Sequence, residues 1–192
     1  MEKKKYGLVW DDEKHPEEIV IKTNKKTPYI EEKKELSTKG KGTSHILIEG
    51  DNYATLTAMQ NTHKNSIDII CVDPPYNTGN EFIYNDKRVD EEDNYRHSKW
   101  LNFMDKRLRL AYNLLKSDGV CYTFIGHDEL ANLVLLQDQV FGRNNRITII
   151  SRMTSPKIKM NEKVANDNCD YILVYAKNGR LPLAEDNDHV ES

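Results

Sequence analysis

Asp73, Pro74, Pro75 and Tyr76 are consecutive and close a run of β-prone residues, Ser66 to Val72. Two successive prolines fix φ and carry no backbone N–H, so the chain there presents carbonyl oxygens; Asp73 adds a carboxylate and Tyr76 a flat ring. That set suits a planar ring bearing an exocyclic NH2. The amine of adenine is a poor nucleophile because its lone pair is delocalised into the ring. Hydrogen bonds from its two N–H groups to the Asp73 carboxylate and the Pro74 carbonyl would draw the nitrogen toward tetrahedral geometry and localise the pair. An electrophilic methyl aimed in line could then be transferred, with Asp73 stabilising the positive charge that develops. Tyr76 would stack on the base, an interaction worth about 1–3 kcal/mol. The competing reading is a proline-rich turn in which Asp73 caps a neighbour and Tyr76 is half-buried; the position at the end of an Ile/Val run argues against it.

Such residues need a strand end to stand on. Ser66–Val72 is a continuous β-prone run of the kind buried on both faces of a parallel sheet, and it stops where the prolines cannot join a ladder. Upstream, His45–Gly50 reads as a short strand and Asp51 as the cap of a helix whose apolar residues Tyr53, Leu56 and Met59 recur at helical spacing. Downstream, a polar loop over residues 77–97 leads to a helix with Trp100, Met104, Leu108, Ala111 and Leu115 on one face and a solvated Lys/Arg face opposite. Ser117-Asp118-Gly119 closes it. Gly119–Ile125 is the next strand, Asp128 can cap a helix carrying Leu130, Leu133, Val134 and Phe141, Arg146–Ile150 begins another strand, and Cys169–Ala176 is the last. Strands alternating with helices predict an α/β fold, a mostly parallel sheet with helices on both faces, and sites outside the carboxyl ends of its strands. Asp73 and the turn Gly126–Glu129 both stand at such ends, so the fold should bring them to one cleft. His127, Asp128 and Glu129 are therefore candidates, although capping by Asp128 accounts for them adequately.

With 192 residues, 38 % hydrophobic and 31 % charged, and a net charge of −3, the chain is one domain or part of one. Residues 1–44 are rich in Lys and Glu and show no sustained period, so they read as an arm whose apolar start, Tyr6–Trp10, docks on the core or on a partner, the packed tail being the favoured reading. Residues 45–178 form the folded unit and 179–192 a polar tail. No run approaches the ~18–20 apolar residues of a membrane span, and no apolar signal core follows Met1. Cys71, Cys121 and Cys169 sit in apolar runs without metal-ligand spacing; they read as reduced core thiols of a cytoplasmic protein, and no metal site is expected. Between Phe141 and Arg180, eight Lys or Arg face three acidic residues, a surface suited to phosphate contact or simply solvated.

In chain order, Tyr6-Gly7-Leu8-Val9-Trp10, Ile46-Leu47-Ile48-Glu49-Gly50-Asp51-Asn52, Asp73-Pro74-Pro75-Tyr76-Asn77-Thr78-Gly79, the helix Trp100 to Leu115, and Tyr171 to Asn178 together resemble the amino-methyltransferases that methylate exocyclic nitrogens of DNA bases. The narrower resemblance is to the modification subunits of type III restriction-modification systems, and it spans most of residues 5–178. It implies a Rossmann-like S-adenosylmethionine-dependent methyltransferase fold, S-adenosylmethionine as cofactor, and double-stranded DNA as partner, with the target base flipped into the pocket. Asp at the first motif position favours adenine N6, since related cytosine-N4 enzymes often carry Ser there. The resemblance makes Asp73, Pro74, Pro75 and Tyr76 the amine-binding and base-stacking residues. On the cofactor side it places Asp73, Asp51 near the cofactor's adenine, and Asn77, Thr78 and Gly79 in a mobile loop over cofactor and base; for Asp51 the helix cap is the rival role. Relatives carry a Phe-x-Gly-x-Gly cofactor loop downstream of a recognition domain, whereas the Gly-x-Gly of this chain, Gly40-Lys41-Gly42, lies in the polar lead-in and reads as a linker. An incomplete fold, the catalytic half, is therefore expected, with a missing C-terminal half, a second modification subunit and a restriction subunit as further partners. A truncated, non-catalytic DNA-binding or assembly module, or a cytosine-N4 DNA methyltransferase, is the alternative.

Overall fold

Four strands form one sheet in the order β1-β2-β4-β3: β1 (Ile67–Val72), β2 (Leu115–Ile125), β3 (Arg146–Met153) and β4 (Cys169–Ala176). The structure is a computed structural model that describes residues 8–10, 17–38, 40, 42–78, 96–153 and 169–179. Its helices are α1 (Glu18–Lys25), α2 (Asn52–Met59), α3 (Arg96–Leu114) and α4 (His127–Gln137), the last running into a wider turn over Asp138–Gly142. β1 and β2 are parallel, joined across α3, with Ile70 opposite Cys121 and Val72 opposite Thr123. β4 is antiparallel to both β2 and β3. The sheet is thus mixed rather than mostly parallel. β3 and β4 are consecutive in the chain and adjacent in the sheet, a pairing that needs no crossover helix and runs antiparallel.

Alternation along the strands separates two faces. Cys121 and Thr123 of β2 lie opposite Tyr175 and Leu173 of β4. Cys121, Leu173 and Tyr175 join Trp100, Phe103, Met104 and Leu108 of α3 and Leu133 and Leu136 of α4 in the main core. On the opposite face a smaller cluster, Val120, Val174 and Ala176 with Tyr122, Ile147 and Ile172, consists of strand residues alone. The expectation of helices on both faces is therefore corrected: among the described residues they build the core on one. Nor is β1 buried on both sides, because among the described strands it lies at the edge, with Ile69 60 % exposed. That position also exposes Cys71, whereas Cys121 is buried and Cys169 partly so; all three are free thiols.

The segment before α2 departs from expectation in the same way. His45–Gly50 pairs with no described strand, and Leu47 is almost fully exposed. A β-prone sequence becomes a strand only beside a neighbour whose N–H and C=O groups it can use. Asp51, by contrast, caps α2, its Oδ1 accepting from the amides of Tyr53 at 2.8 Å and Ala54 at 3.3 Å. The lead-in is more ordered than its composition suggests: it contains α1, and Leu8 and Trp10 pack on the main core, with Leu8 O accepting from Gln139 Nε2 at 2.7 Å. Tyr6, Gly7 and the tail after residue 179 lie outside the described residues. α4 begins after Gly126 with no side-chain cap, so Asp128 does not cap it; it sits in the first turn, where a negative charge suits the helix dipole.

The Lys/Arg face of α3 is not merely solvated, because Arg107 is buried in it. Its guanidinium donates to Asn52 Oδ1 at 2.5 Å and Phe103 O at 2.9 Å, pairs with Glu17 Oε2 at 2.9 Å and lies over the Phe103 ring at 3.5 Å. One side chain thereby fastens α3 to the start of α2 and to Glu17 before α1. Replacing it takes from Glu17, itself only 13 % exposed, the nearer of its two cations, leaving Lys106 Nζ at 3.6 Å, and removes the donors to Asn52 and Phe103. Arg107→Ala should lower the unfolding free energy by about 2–4 kcal/mol in urea denaturation.

Candidate active site

The carboxyl end of β1 delivers Asp73–Tyr76 to a cleft of about 920 Å³ between β1, α2 and α3. Its walls are apolar at Ile70, Val72, Phe103 and Met104, and polar groups are added by Asn52, Thr55, Asp73, Asn77, Thr78 and Arg107. This volume and mixture are typical of a small-molecule site. Asp73 is exposed at the mouth, Pro74 is buried, and Pro75 and Tyr76 are partly buried.

Three contacts hold this turn. Trp100, fully buried on α3, donates its indole N–H to the Pro75 carbonyl at 2.7 Å. The Tyr76 ring lies against Gly126, where a Cβ would stand 3.0 Å from the ring's Cδ2. A larger residue there would push the ring aside by a few tenths of an ångström. Asn77 adopts φ +57°, a left-handed conformation that Asn tolerates better than most residues, and its Nδ2 donates to Glu129 Oε1. Glu129 is fully buried and also accepts from His97 Nδ1 at 2.7 Å and Asn132 Nδ2 at 2.7 Å. The two strand ends singled out in the sequence therefore do meet.

The Pro75 carbonyl is occupied by Trp100; no described residue donates to the Asp73 carboxylate or the Pro74 carbonyl. Burial, with the Asp170 and Asp73 carboxylates nearby, raises the Tyr76 hydroxyl above its ordinary pKa of 10.0 and keeps it protonated. Asp170 is paired with Arg152 at 2.8 Å at the end of the β3–β4 ladder. Asp51 lies beside the cleft rather than in its wall, with Oδ1 spent on capping and Oδ2 4.0 Å from Arg107 Nη2; its neighbour Asn52 is in the wall. Thr78 is exposed, and Gly79 lies outside the described residues. His127 and Asp128 are exposed on the first turn of α4.

Sequence reasoning missed Trp100 as a hydrogen-bond donor, Arg107, His97 and the burial of Glu129. Glu129 did carry a signal: it shares a helical face with Leu133 and Leu136, and an acid on an apolar stripe is either buried with partners or out of place. The basic excess over residues 141–180 is partly spent internally. Arg146 pairs with Asp138 at 3.6 Å, Arg152 with Asp170, and Lys177 Nζ donates to Leu115 O at 2.7 Å. Lys157, Lys159, Lys163 and Arg180 lie outside the described residues. Among the described residues, no three His, Cys, Asp or Glu converge as a metal site would require, and no helix is long and apolar enough to cross a membrane.

Residues 67–191, from β1 onward, match the family model N6_N4_Mtase, DNA methylase. The chain belongs to that family. Its likeness to type III modification subunits holds across the chain: it is 32 % identical over 165 residues to the type III restriction-modification enzyme StyLTI Mod subunit of Salmonella typhimurium, covering 74 % of this chain and 25 % of that protein. It is 35 % identical over 161 residues to the type II methyltransferase M.KpnI of Klebsiella pneumoniae, covering 83 % of this chain and 38 % of that one. The chain thus spans well under half the length of these relatives. The Thermus thermophilus protein TTHA0409, solved in complex with S-adenosyl-L-methionine, superposes with a TM-score of 0.52 at 15 % identity over 71 % of this chain and 57 % of its own. The shared fold is the Rossmann-like α/β fold of the methyltransferases, present here in part.

Within this N6_N4_Mtase chain, the bond from Trp100 to Pro75 can be removed while an aromatic side chain stays in the core. Trp100→Phe keeps an aromatic ring but leaves the partly buried Pro75 carbonyl without its donor, and should cost about 1–3 kcal/mol in urea denaturation.

Proposed function

We propose that this chain is the catalytic segment of a restriction-modification DNA methyltransferase that transfers a methyl group from S-adenosylmethionine to adenine N6 in DNA. The observation that carries the reading is the turn at the end of β1. Trp100 takes the Pro75 carbonyl, so within the Asp73–Pro75 stretch the Asp73 carboxylate and the Pro74 carbonyl are the acceptors left over, the number an exocyclic amine requires, and both residues line the cleft.

Asp73 and Pro74 bind the amine and localise its lone pair; Asp73 also stabilises the positive charge that grows on nitrogen. Tyr76, seated on Gly126 and held protonated, offers its face to the flipped base. The cleft walls fit a nucleoside-sized cofactor, with Asn52, Thr55, Asp73 and Thr78 as polar contacts and Ile70, Val72 and Phe103 as apolar ones; Asn77, whose side-chain amide is donated to Glu129, and Gly79 belong to the same loop. When bound, S-adenosylmethionine supplies the electrophilic methyl. Asp51 contributes by fixing the start of α2, and so the position of Asn52 and Thr55. Asp at the first motif position supports adenine over cytosine. Double-stranded DNA is the partner, the relatives' greater length leaves room for a recognition part, the naming of the StyLTI relative as a subunit supports further modification and restriction subunits as partners, and the free thiols fit a cytoplasmic location. Among the described residues, the sheet face without helices and the unpaired edge of β1 favour one further reading, an assembly module that works only when other parts cover those surfaces.

Incubating the purified chain with labelled S-adenosylmethionine and unmethylated bacterial DNA, followed by mass spectrometry of the nucleosides, tests the reading. N6-methyladenine supports it, N4-methylcytosine replaces the base assignment, and no product from a folded chain leaves the assembly module. In an active preparation Asp73→Ala should reduce transfer by about 10²–10³-fold with the circular dichroism unchanged; retention of a tenth of the rate or more removes Asp73 from its role. Tyr76→Ala should abolish the fluorescence rise of a 2-aminopurine target, and an unchanged rise sinks the stacking assignment.

A further inference from the structure

Glu129 lies on the core-facing side of α4 with no solvent exposure. A carboxylate in such a place is costly unless its oxygens are matched by donors, and both are matched here. Oε2 receives Asn132 Nδ2, from one turn further along the same helix, at 2.7 Å. Oε1 receives two donors from outside the helix: Asn77 Nδ2, immediately after the Asp73–Tyr76 turn, and His97 Nδ1 at the start of α3, at 2.7 Å. A carboxylate only accepts, so both nitrogens donate. The second ring nitrogen of His97 accepts from Arg96 Nε at 3.3 Å, which sets the ring's orientation. Across the turn, Trp100 holds Pro75. Tyr76 is therefore the residue between two anchored neighbours, and its ring rests on Gly126, three residues before Glu129.

We propose that Glu129 is a positioning residue: its buried carboxylate clamps Asn77 while Trp100 clamps Pro75, and the two together fix the backbone on either side of Tyr76 and the aim of Asp73. Its meaning for catalysis rests on the methyl-transfer reading; the clamp itself does not. Only a carboxylate serves all three donors. Glu129→Gln keeps the volume but turns one acceptor oxygen into an NH2, so that a donor faces either Asn132 or the Asn77–His97 pair. A purely structural acid bridging α3 and α4 would change stability without singling out the turn.

The full chain, Glu129→Gln, Asn77→Ala and the double variant distinguish these roles. The indole N–H of Trp100, one of two in the chain, reports the turn directly by hydrogen exchange in NMR. Each single variant should speed that exchange by about tenfold or more while the amides of Val120, Cys121 and Leu173 keep their protection. Methyl transfer should lose about tenfold or more in kcat in each single variant, with the Kd for S-adenosylmethionine changed less than about threefold, and the double variant should be no worse than the poorer single one. Unchanged indole exchange in a folded Glu129→Gln protein overturns the clamp. So does a Kd weakened by Asn77→Ala alone, which would make Asn77 a cofactor contact in its own right. Should Glu129→Gln fail to fold, the exchange and kinetics of Asn77→Ala decide. A wild-type chain that transfers no methyl defeats the proposed function, and the indole exchange still tests the clamp.

Discussion

The hydrogen bond from the Trp100 indole to the Pro75 carbonyl is the contact on which the rest of the site depends. Two prolines in succession deprive the chain of the donors with which a turn ordinarily holds itself, and their carbonyls would otherwise be fixed by nothing local. A donor has to come from another element. Trp100 supplies it while filling the core between α3 and the sheet with its ring, so the packing of α3 on the sheet and the conformation of the turn are one fact. Taking Pro75 out of play also selects which oxygens remain for a ligand.

α3 is accordingly the spine of the cleft. Trp100 and Arg107 are seven residues apart on it, two turns, and hold the opposite walls: the turn after β1 on one side, the start of α2 on the other. α4 adds the third support through Glu129 and Gly126. The buried charges, Arg107 and Glu129, both lie on helices and both reach residues distant in sequence. Each is met by partners on several sides, the condition under which a buried ion is tolerable, and each orders chain segments that apolar contacts alone would leave free to slide.

What the sequence made legible was local in origin. Asp73–Tyr76 could be read because the chemistry of prolines, a carboxylate and an aromatic ring belongs to those residues wherever they stand. Asp51 could be read as a cap because its partners are two and three residues away. What it concealed depends on partners far along the chain. Arg107 looked like one more cation on a solvated face because Glu17 lies ninety residues before it. Asp128 drew the capping role because it is the better capping residue type, although the helix starts one residue earlier and leaves its neighbour Glu129 facing the core. Strand direction is not written in a β-prone run, so the mixed sheet could not be told from a parallel one. His45–Gly50 has strand composition but no described neighbour to pair with. The family resemblance carried the reading beyond these limits as to kind, not as to contacts.

The prolines have one more consequence, for how the protein keeps to itself. β1 is the edge of the described sheet, and an open edge with exposed isoleucine is a template for pairing with another chain. Its span is kept to six residues and interrupted by Asp68, which is exposed and paired with Lys116 at 2.5 Å. Beyond Val72, where a ladder between molecules would extend, Pro74 and Pro75 offer it no N–H. Residues that shape the turn at the cleft thus also act as gatekeepers against aggregation, so a substitution that relieved one demand would have to answer to the other.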